Sequence, residues 1–305
     1  MTREELNQDK QQEIFCEQRN EKRKKITIFF FKVIFFIVIF FIIFYLYTTF
    51  ISTKILHVNE YRIVHNSVPD NFNGLKIIQF SDLHYGTTIF SSEVDNLVKE
   101  INERAPDIVV FTGDLIDSNY DLNTSELELV IDSLNKINAS LGKYAISGDE
   151  DNEMFLTIMK QSNFEIINNS YELIYKDSDI PIMLIGLDSY VSGKSNLDEA
   201  FKYYSEPNHN SNLFSITLLH EPDITDEILN KYSSNLLLAG HSHNGTIRLP
   251  FVGGVYKYSG AEKYTDKYYE INNSFLYISG GVGTNGPGFR LFCRPSINFF
   301  RISNK

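Results

Sequence analysis

Hydrophobic positions fall into two kinds of run along the 305 residues, and the change comes at residue 51. Ahead of it, residues 33–51 (VIFFIVIFFIIFYLYTTFI) carry no charge over 19 positions and are apolar on every face. A helix of that length crosses a hydrocarbon core of about 30 Å, whereas a helix packed on a soluble core keeps a polar face. Beyond it the apolar runs are short, β-branched or aromatic, and bounded by polar turns: residues 75–80, 107–112, 143–147, 182–186, 214–219 and 235–239. Such runs predict buried strands. Helical spacing at residues 93–103, 124–138 and 151–161 separates the early ones, an alternation that predicts a parallel sheet. Tyr61 to Val64 alternates like an edge strand. Residues 189–212 are polar and lack apolar periodicity, which suits a lid or a surface excursion. Toward the carboxyl end, residues 275–279 and 297–302 read as antiparallel strands closing a second sheet.

Charge gives the apolar run a direction. Arg19, Lys22, Arg23, Lys24 and Lys25 precede it, Lys32 sits where it can snorkel to the interface, and the nearest cations after it are Lys54 and Arg62. The excess of cations on the leading side predicts a cytoplasmic amino terminus and a domain outside. No Ala-x-Ala site follows the run, so an uncleaved signal anchor is expected rather than a cleaved signal peptide. The expected organisation is a basic cytoplasmic tail (residues 1–25), a transmembrane anchor (26–51), a linker (52–60) and a single extracytoplasmic domain (61–305) on the cell membrane. Residues 1–51 hold eight Lys and Arg against six Asp and Glu, a net of +2; the other 254 hold 20 against 33, a net of −13. So acidic a domain excludes duplex nucleic acid as a partner. The chain's two cysteines, Cys16 and Cys293, would lie on opposite sides of the bilayer and provide no disulfide scaffold.

The chemistry is carried by motifs at the ends of the predicted strands: Asp82-Leu83-His84, Gly113-Asp114, His220 and Gly240-His241-Ser242-His243. Taken singly, an Asp-x-His triplet or a Gly-Asp turn is ordinary. Together they hold four of the seven histidines, and Gly-His-Ser-His directly after a buried strand has no evident packing role. Carboxylates and imidazoles at strand ends can converge on one sheet edge, where such mixed donors suit zinc, manganese or iron. Two ions about 3.5–4 Å apart can clamp a phosphoryl group and ionise a water for in-line attack.

These motifs, in this order, resemble the calcineurin-like metallophosphoesterase superfamily, whose pattern is Asp-x-His, Gly-Asp, Gly-Asn-His, His and Gly-His-x-His. Within it, Gly240-His-Ser-His-Asn-Gly-Thr-Ile-Arg-Leu-Pro250, Gly283-Thr-Asn-Gly-Pro-Gly-Phe-Arg290 and Cys293-Arg-Pro295 are similar to the membrane-anchored bacterial branch of YkuE-like phosphodiesterases. The resemblance covers about residues 61–302. It implies an α/β fold: a two-sheet β-sandwich flanked by helices, here preceded by one transmembrane helix. It implies two divalent transition-metal ions, one held by Asp82, His84 and His243, the other by His220 and His241, with Asp114 bridging. The activity implied is hydrolysis of a phosphomonoester or phosphodiester by a metal-bridging hydroxide. A lipid head group, an envelope polymer or a nucleotide would each suit the expected topology as substrate.

One motif departs from the pattern. In the Gly-Asn-His slot stands Gly148-Asp149-Glu150-Asp151. Asp149 can complete the second metal site but adds negative charge, which makes that ion a poorer Lewis acid. Glu150 can replace the histidine as proton donor only if anionic surroundings raise its pKa. The alternatives are a catalytically weakened metal-binding membrane protein that senses or recruits, and a structural protein whose ligands staple the fold. The glycine-rich residues 280–288 have no helix after them and are no P-loop. They form either a tight strand crossing or an anion nest that brings Arg290 to a phosphate. Asn244, next to the last histidine, is a second candidate substrate contact.

Overall fold

The computed structural model describes residues 3–207, 209–210, 212–286 and 288–305. Met1 and Thr2 of the expected tail, Asn208 and Ser211 of the polar stretch, and Pro287 of the glycine-rich loop lie outside the described residues. Residues 1–48 and 49–305 form two separate compact units. In the first, α1 (Arg3–Leu46) is one uninterrupted helix that widens into a π-helical turn over Tyr47–Ile51. Helix therefore extends back from the apolar run through the basic segment. Residues Glu13–Ile51 are long and apolar enough to cross a membrane, and Phe30, Phe31, Phe35, Phe36, Phe40 and Phe41 all point outward.

The second unit opens with β1 (His57–Val64) and β2 (Leu75–Phe80). There follow α2 (Ser91–Asn102), β3 (Ile108–Thr112), α3 (Thr124–Asn135), β4 (Gly142–Ile146), α4 (Glu153–Gln161) and β5 (Glu165–Ile166). Next come β6 (Ser170–Ile174), β7 (Ile182–Gly186), α5 (Leu197–Ala200), β8 (Ser215–Leu218), α6 (Thr225–Lys231) and β9 (Leu236–Ala239). A small hairpin, β10 (Arg248–Leu249) and β11 (Gly253–Gly254), precedes β12 (Tyr268–Ile271), β13 (Ser274–Ile278) and β14 (Ser296–Ser303). One six-stranded sheet has the order β1-β14-β2-β3-β4-β5 and the other β12-β13-β9-β8-β7-β6.

Alternate side chains explain why these strands read as unbroken apolar runs. Ile77, Val110 and Ile146 of the first sheet meet Leu184, Ile216 and Leu238 of the second in a shared core. Their neighbours Ile78, Val109 and Phe111 point outward beneath α2, α3 and α4, against Leu97, Leu134 and Phe155. Met183, Ile185 and Leu237 are likewise covered by Phe201 and Ile228 on the far side. A sheet covered on both faces needs apolar residues at every position. The result is the expected two-sheet α/β sandwich flanked by helices.

Two expectations change. Of the two carboxyl-terminal strands, only β13 joins the second sheet, where it runs antiparallel to β12 but parallel to β9. The last strand, β14, returns to the first sheet between β1 and β2, parallel to one and antiparallel to the other. Ile297 and Phe299 pack under the outer helices while Phe300 and Ile302 fill the space between the sheets, so all of this strand but Arg301 near its end is covered and it belongs inside a sheet. The stretch after β7 is no free lid at its centre: Leu197, Ala200 and Phe201 are buried on the second sheet.

Candidate metal centre

Five strand ends converge at one edge of the sandwich. Asp82 and His84 follow β2, Asp114 follows β3, Asp149 to Asp151 follow β4, His220 follows β8, and His241 and His243 follow β9. Except for Asp149 and Glu150 these side chains are buried. Asp82, His84, Asp114, His241 and His243 all have positive φ, between 41° and 65°. Non-glycine residues adopt this region at a cost and persist there when surrounding structure holds them. Gly113, at φ +94°, shows how closely the strand ends approach: a Cβ there would lie 2.4 Å from His220 Nδ1 and 2.6 Å from the Gly148 nitrogen.

The donors form two groups whose ligand atoms lie within 4.8 Å of one another: Asp114, Asp149, His220 and His241, and Asp82, His84 and His243. In the first group His220 Nε2 is 3.2 Å from both Asp114 Oδ2 and Asp149 Oδ1, and His241 Nδ1 is 3.1 Å from Asp149 Oδ1. In the second, His84 Nε2 and His243 Nε2 stand 3.2 Å apart, and His243 Nε2 is 3.6 Å from Asp82 Oδ1. Asp114 Oδ2 is also 3.6 Å from His84 Nε2, so it reaches histidines of both groups.

The outward nitrogens fix the tautomers. His220 Nδ1 is 2.6 Å from the Thr112 carbonyl and His241 Nε2 is 2.8 Å from that of Ser259. A carbonyl only accepts, so each of these nitrogens carries the proton and each ring turns a lone pair toward the other donors. Asp149 Oδ1 is buried without a hydrogen-bond partner although two imidazole nitrogens lie near it. Lone pairs and carboxylate oxygens gathered about a common point fit a divalent ion, which supplies the missing positive charge.

The electrostatics of the buried groups carry the same demand for cations. Burial works against the charge on Asp149, yet its contacts with His220 and His241 hold its pKa far below the usual carboxylate range. Burial would likewise lower His84, but Glu150, Asp114 and Asp82 raise it to about 9. His220 rises for the same reason, through Asp114 and Asp149. Asp151 is raised to about 7 by burial and by Asp114, against three backbone N–H donors. Those donors are Gly148 and Asp114 at 2.8 Å and Leu115 at 2.9 Å. Asp151 thus ties the turn after β3 to the turn after β4, a role not visible in the motif itself.

Three residues differ from expectation. Burial would raise Glu150, but His84 draws its pKa below the ordinary value, so the raised proton donor expected from anionic surroundings is not found. Its Oε1 accepts from Asn285 Nδ2 at 2.6 Å and its Oε2 from the Ser118 N–H at 3.1 Å, with His84 Nδ1 at 3.6 Å. Arg290 is fully buried and does not face an open site. Its guanidinium donates to the carbonyls of Gly280 (2.7 Å), Gly281 (3.2 Å) and Gly283, and lies 3.3 Å from His243 Nδ1. The glycine-rich loop is therefore a tight crossing fastened behind His243, with Arg290 turned into the interior rather than toward an open anion site. Asn244 is also buried, packed against Gly280. Asp117 went unassigned in the motif reading, although it joins His84 and Glu150 in a third acidic group; its spacing from Asp114 was the available signal.

Comparison with known proteins agrees with this geometry. Residues 75–245 match the family model described as calcineurin-like phosphoesterase. The chain is 30% identical over 263 residues to the metallophosphoesterase YkuE of Bacillus subtilis, covering 85% of this chain and 89% of that protein. It is 28% identical over 248 residues to a transmembrane protein with metallophosphoesterase domain from Bos taurus, covering 75% of this chain but only about half (53%) of the relative. Among solved structures, that of the calcineurin-like phosphoesterase YfkN from Bacillus subtilis covers 69% of this chain and 82% of its own, with 13% identity and a TM-score of 0.41. The matched segment carries every strand-end donor from Asp82 to His243, and the chain belongs to the calcineurin-like phosphoesterase family, metal-dependent hydrolases of phosphoesters that work with two metal ions.

Proposed function

We propose that this protein is a membrane-anchored phosphoester hydrolase whose helix (residues 26–51) tethers a catalytic domain (61–305) on the extracytoplasmic side. In this reading Asp82, His84 and His243 hold one ion, His220, His241 and Asp149 the other, and Asp114 lies between them. The observation that carries it is the reach of Asp114 Oδ2 to His220 at 3.2 Å and His84 at 3.6 Å, one from each donor group. Two divalent ions, when bound, neutralise the phosphoryl oxygens and activate water.

The chain's own part is to hold the donors still. Asp82 accepts the His241 N–H at 2.9 Å, which locks the turn after β9 against the turn after β2. The carbonyls of Thr112 and Ser259 orient two imidazoles. The family match supports hydrolysis over a metal-binding protein without turnover. The excess of cations before residue 33 supports the orientation, and the transmembrane relative is consistent with the anchor.

Metal analysis of the full chain in detergent, after reconstitution with excess manganese or zinc, should find two ions per chain. Hydrolysis of an aryl phosphodiester should depend on them, and Asp114→Asn should lower both occupancies. One ion at most in the wild-type chain, or loss from a single site in the variant, overturns the ligand assignment.

A further inference from the structure

The hairpin β10–β11 presents exposed apolar side chains at its tip. Phe251 at its tip is wholly exposed, Val252 is 72% exposed and Leu249 42%. Phe251 also has a φ of +67°, so the turn holds a bulky residue in the left-handed region with its ring outward. A second exposed ring, Phe292 (68%), stands in the loop bonded to the hairpin's base, where the Arg248 N–H donates to the Leu291 carbonyl at 2.9 Å. Clustered exposed apolar groups of this kind mark interaction surfaces.

The same loop receives the chain as it comes from the anchor. His57 donates its N–H to the Pro295 carbonyl at 2.8 Å, three residues beyond Phe292. From Ile51, the last residue of the apolar segment, to His57 is six residues, about 20 Å at full extension. Lys54 is itself fastened to this unit, 2.7 Å from the Thr88 carbonyl and 2.8 Å from Glu93. The first strand after the tether and the base of the apolar hairpin therefore both bond to one loop, residues 291–295. A net charge of −13 outside residues 1–51 gives the domain no general attraction to an anionic leaflet, so the exposed apolar groups are what this side offers to lipid.

We propose that the hairpin tip (residues 249–252), together with Phe292, docks into the interfacial layer of the bilayer that the amino-terminal helix spans. This rests on the anchor reading above and adds a second, non-covalent attachment. The hairpin follows directly from His243, Asn244 and Gly245, and a Cβ on Gly245 would lie 2.4 Å from Gly254 Cα. Docking therefore sets the orientation of the metal centre's rim to the membrane.

The chain has no tryptophan, so Phe251→Trp places a single reporter at the tip. Three full-length variants, Phe251→Trp, Phe41→Trp in the anchor and Leu129→Trp on α3, are reconstituted into phosphatidylcholine vesicles with and without brominated acyl chains. Expected is a blue-shifted emission for Phe251→Trp and quenching of at least two-fold, with Phe41→Trp quenched and Leu129→Trp not. If Phe41→Trp is quenched while Phe251→Trp behaves like Leu129→Trp, docking is overturned and the anchor stands. If Phe41→Trp is not quenched, the anchor reading fails and the docking proposal falls with it. A blue shift at Phe251→Trp without quenching, growing with the protein-to-lipid ratio, means that a second copy covers the hairpin, which also overturns the lipid assignment.

Discussion

Glu150 Oε2 stands 3.6 Å from His84 Nδ1, on the side of the imidazole opposite the nitrogen that faces Asp114 and His243. His84 Nδ1 is buried with no hydrogen-bond partner of its own, and Glu150 is fastened through Asn285 and Ser118. In the ligand set proposed above, Glu150 stands where a carboxylate orients a metal-ligating histidine from behind and raises its basicity, once the ring nitrogen donates to it. It explains why Glu150 titrates below its ordinary value rather than above it.

Glu150→Gln should therefore act on metal binding first. Loss of such a partner typically weakens affinity by about 10–100-fold, and metal titration of activity should show a shift of that size. At saturating metal, kcat should fall little. A proton donor would behave oppositely: its removal would lower kcat by about 10²–10⁴-fold at any metal concentration. The latter outcome would return Glu150 to the role first expected of it.

Asp149 makes a different claim on the rate. Its carboxylate, 3.1–3.2 Å from His220 and His241, puts a full negative charge where the family pattern has a neutral amide. The double change Asp149→Asn with Glu150→His restores that pattern. Turnover of an aryl phosphodiester at saturating metal should rise about 10-fold or more, a partial rescue measured against the roughly 10²–10⁴-fold usual for general acid–base help, while the metal concentration needed should also rise. Unchanged turnover at full metal occupancy would show that Asp149 and Glu150 are working parts of this site and no handicap.

The buried arginine gives a prediction about stability. Arg290→Met would leave the carbonyls of Gly280 and Gly283 unpaired in the interior, at about 1–3 kcal/mol for each buried unsatisfied group, while that of Gly281 keeps the Ser296 N–H at 3.0 Å. A net loss of about 3 kcal/mol corresponds to about 6–12 °C in Tm for a domain of this size. KM for a small phosphodiester, measured below the unfolding range, should stay near the wild-type value. A raised KM with unchanged Tm would mean that Arg290 meets substrate after all.

What could be read from the chain alone follows a physical division. The strand Leu75–Phe80 and its partners were legible because both sheet faces are covered, which makes apolar residues dominate on each face, with Lys76 and the hydrogen-bonded Gln79 the exceptions in this strand. The donors were legible because Asp and His directly after such strands have no packing role, and backbone geometry does the converging. Partner choice was not legible: β14 has the same local pattern whether it pairs with β2 or with a second sheet. Arg290 after a run of glycines looks like an anion nest locally, and only the fold shows three carbonyls already meeting its guanidinium. Glu150 belongs to the same class, since its pKa is set by His84, a residue 66 positions earlier in the chain.

The orientation of the anchor can be tested with a thiol the chain already has. Cys16 is exposed and lies ahead of the apolar run, in the segment assigned to the cytoplasm, whereas Cys293 is buried with its Sγ 3.0 Å from the His243 carbonyl. An impermeant maleimide applied to intact cells should leave Cys16 unlabelled, and lysis should expose it. In a Cys16→Ser background, Leu129→Cys on the outer face of α3, about 50% exposed, should react without lysis. Labelling of Cys16 on intact cells, with Leu129→Cys reacting only after lysis, would reverse the topology. It would also set aside the excess of cations before residue 33 as a guide to this membrane, because long domains follow that rule less faithfully than short loops.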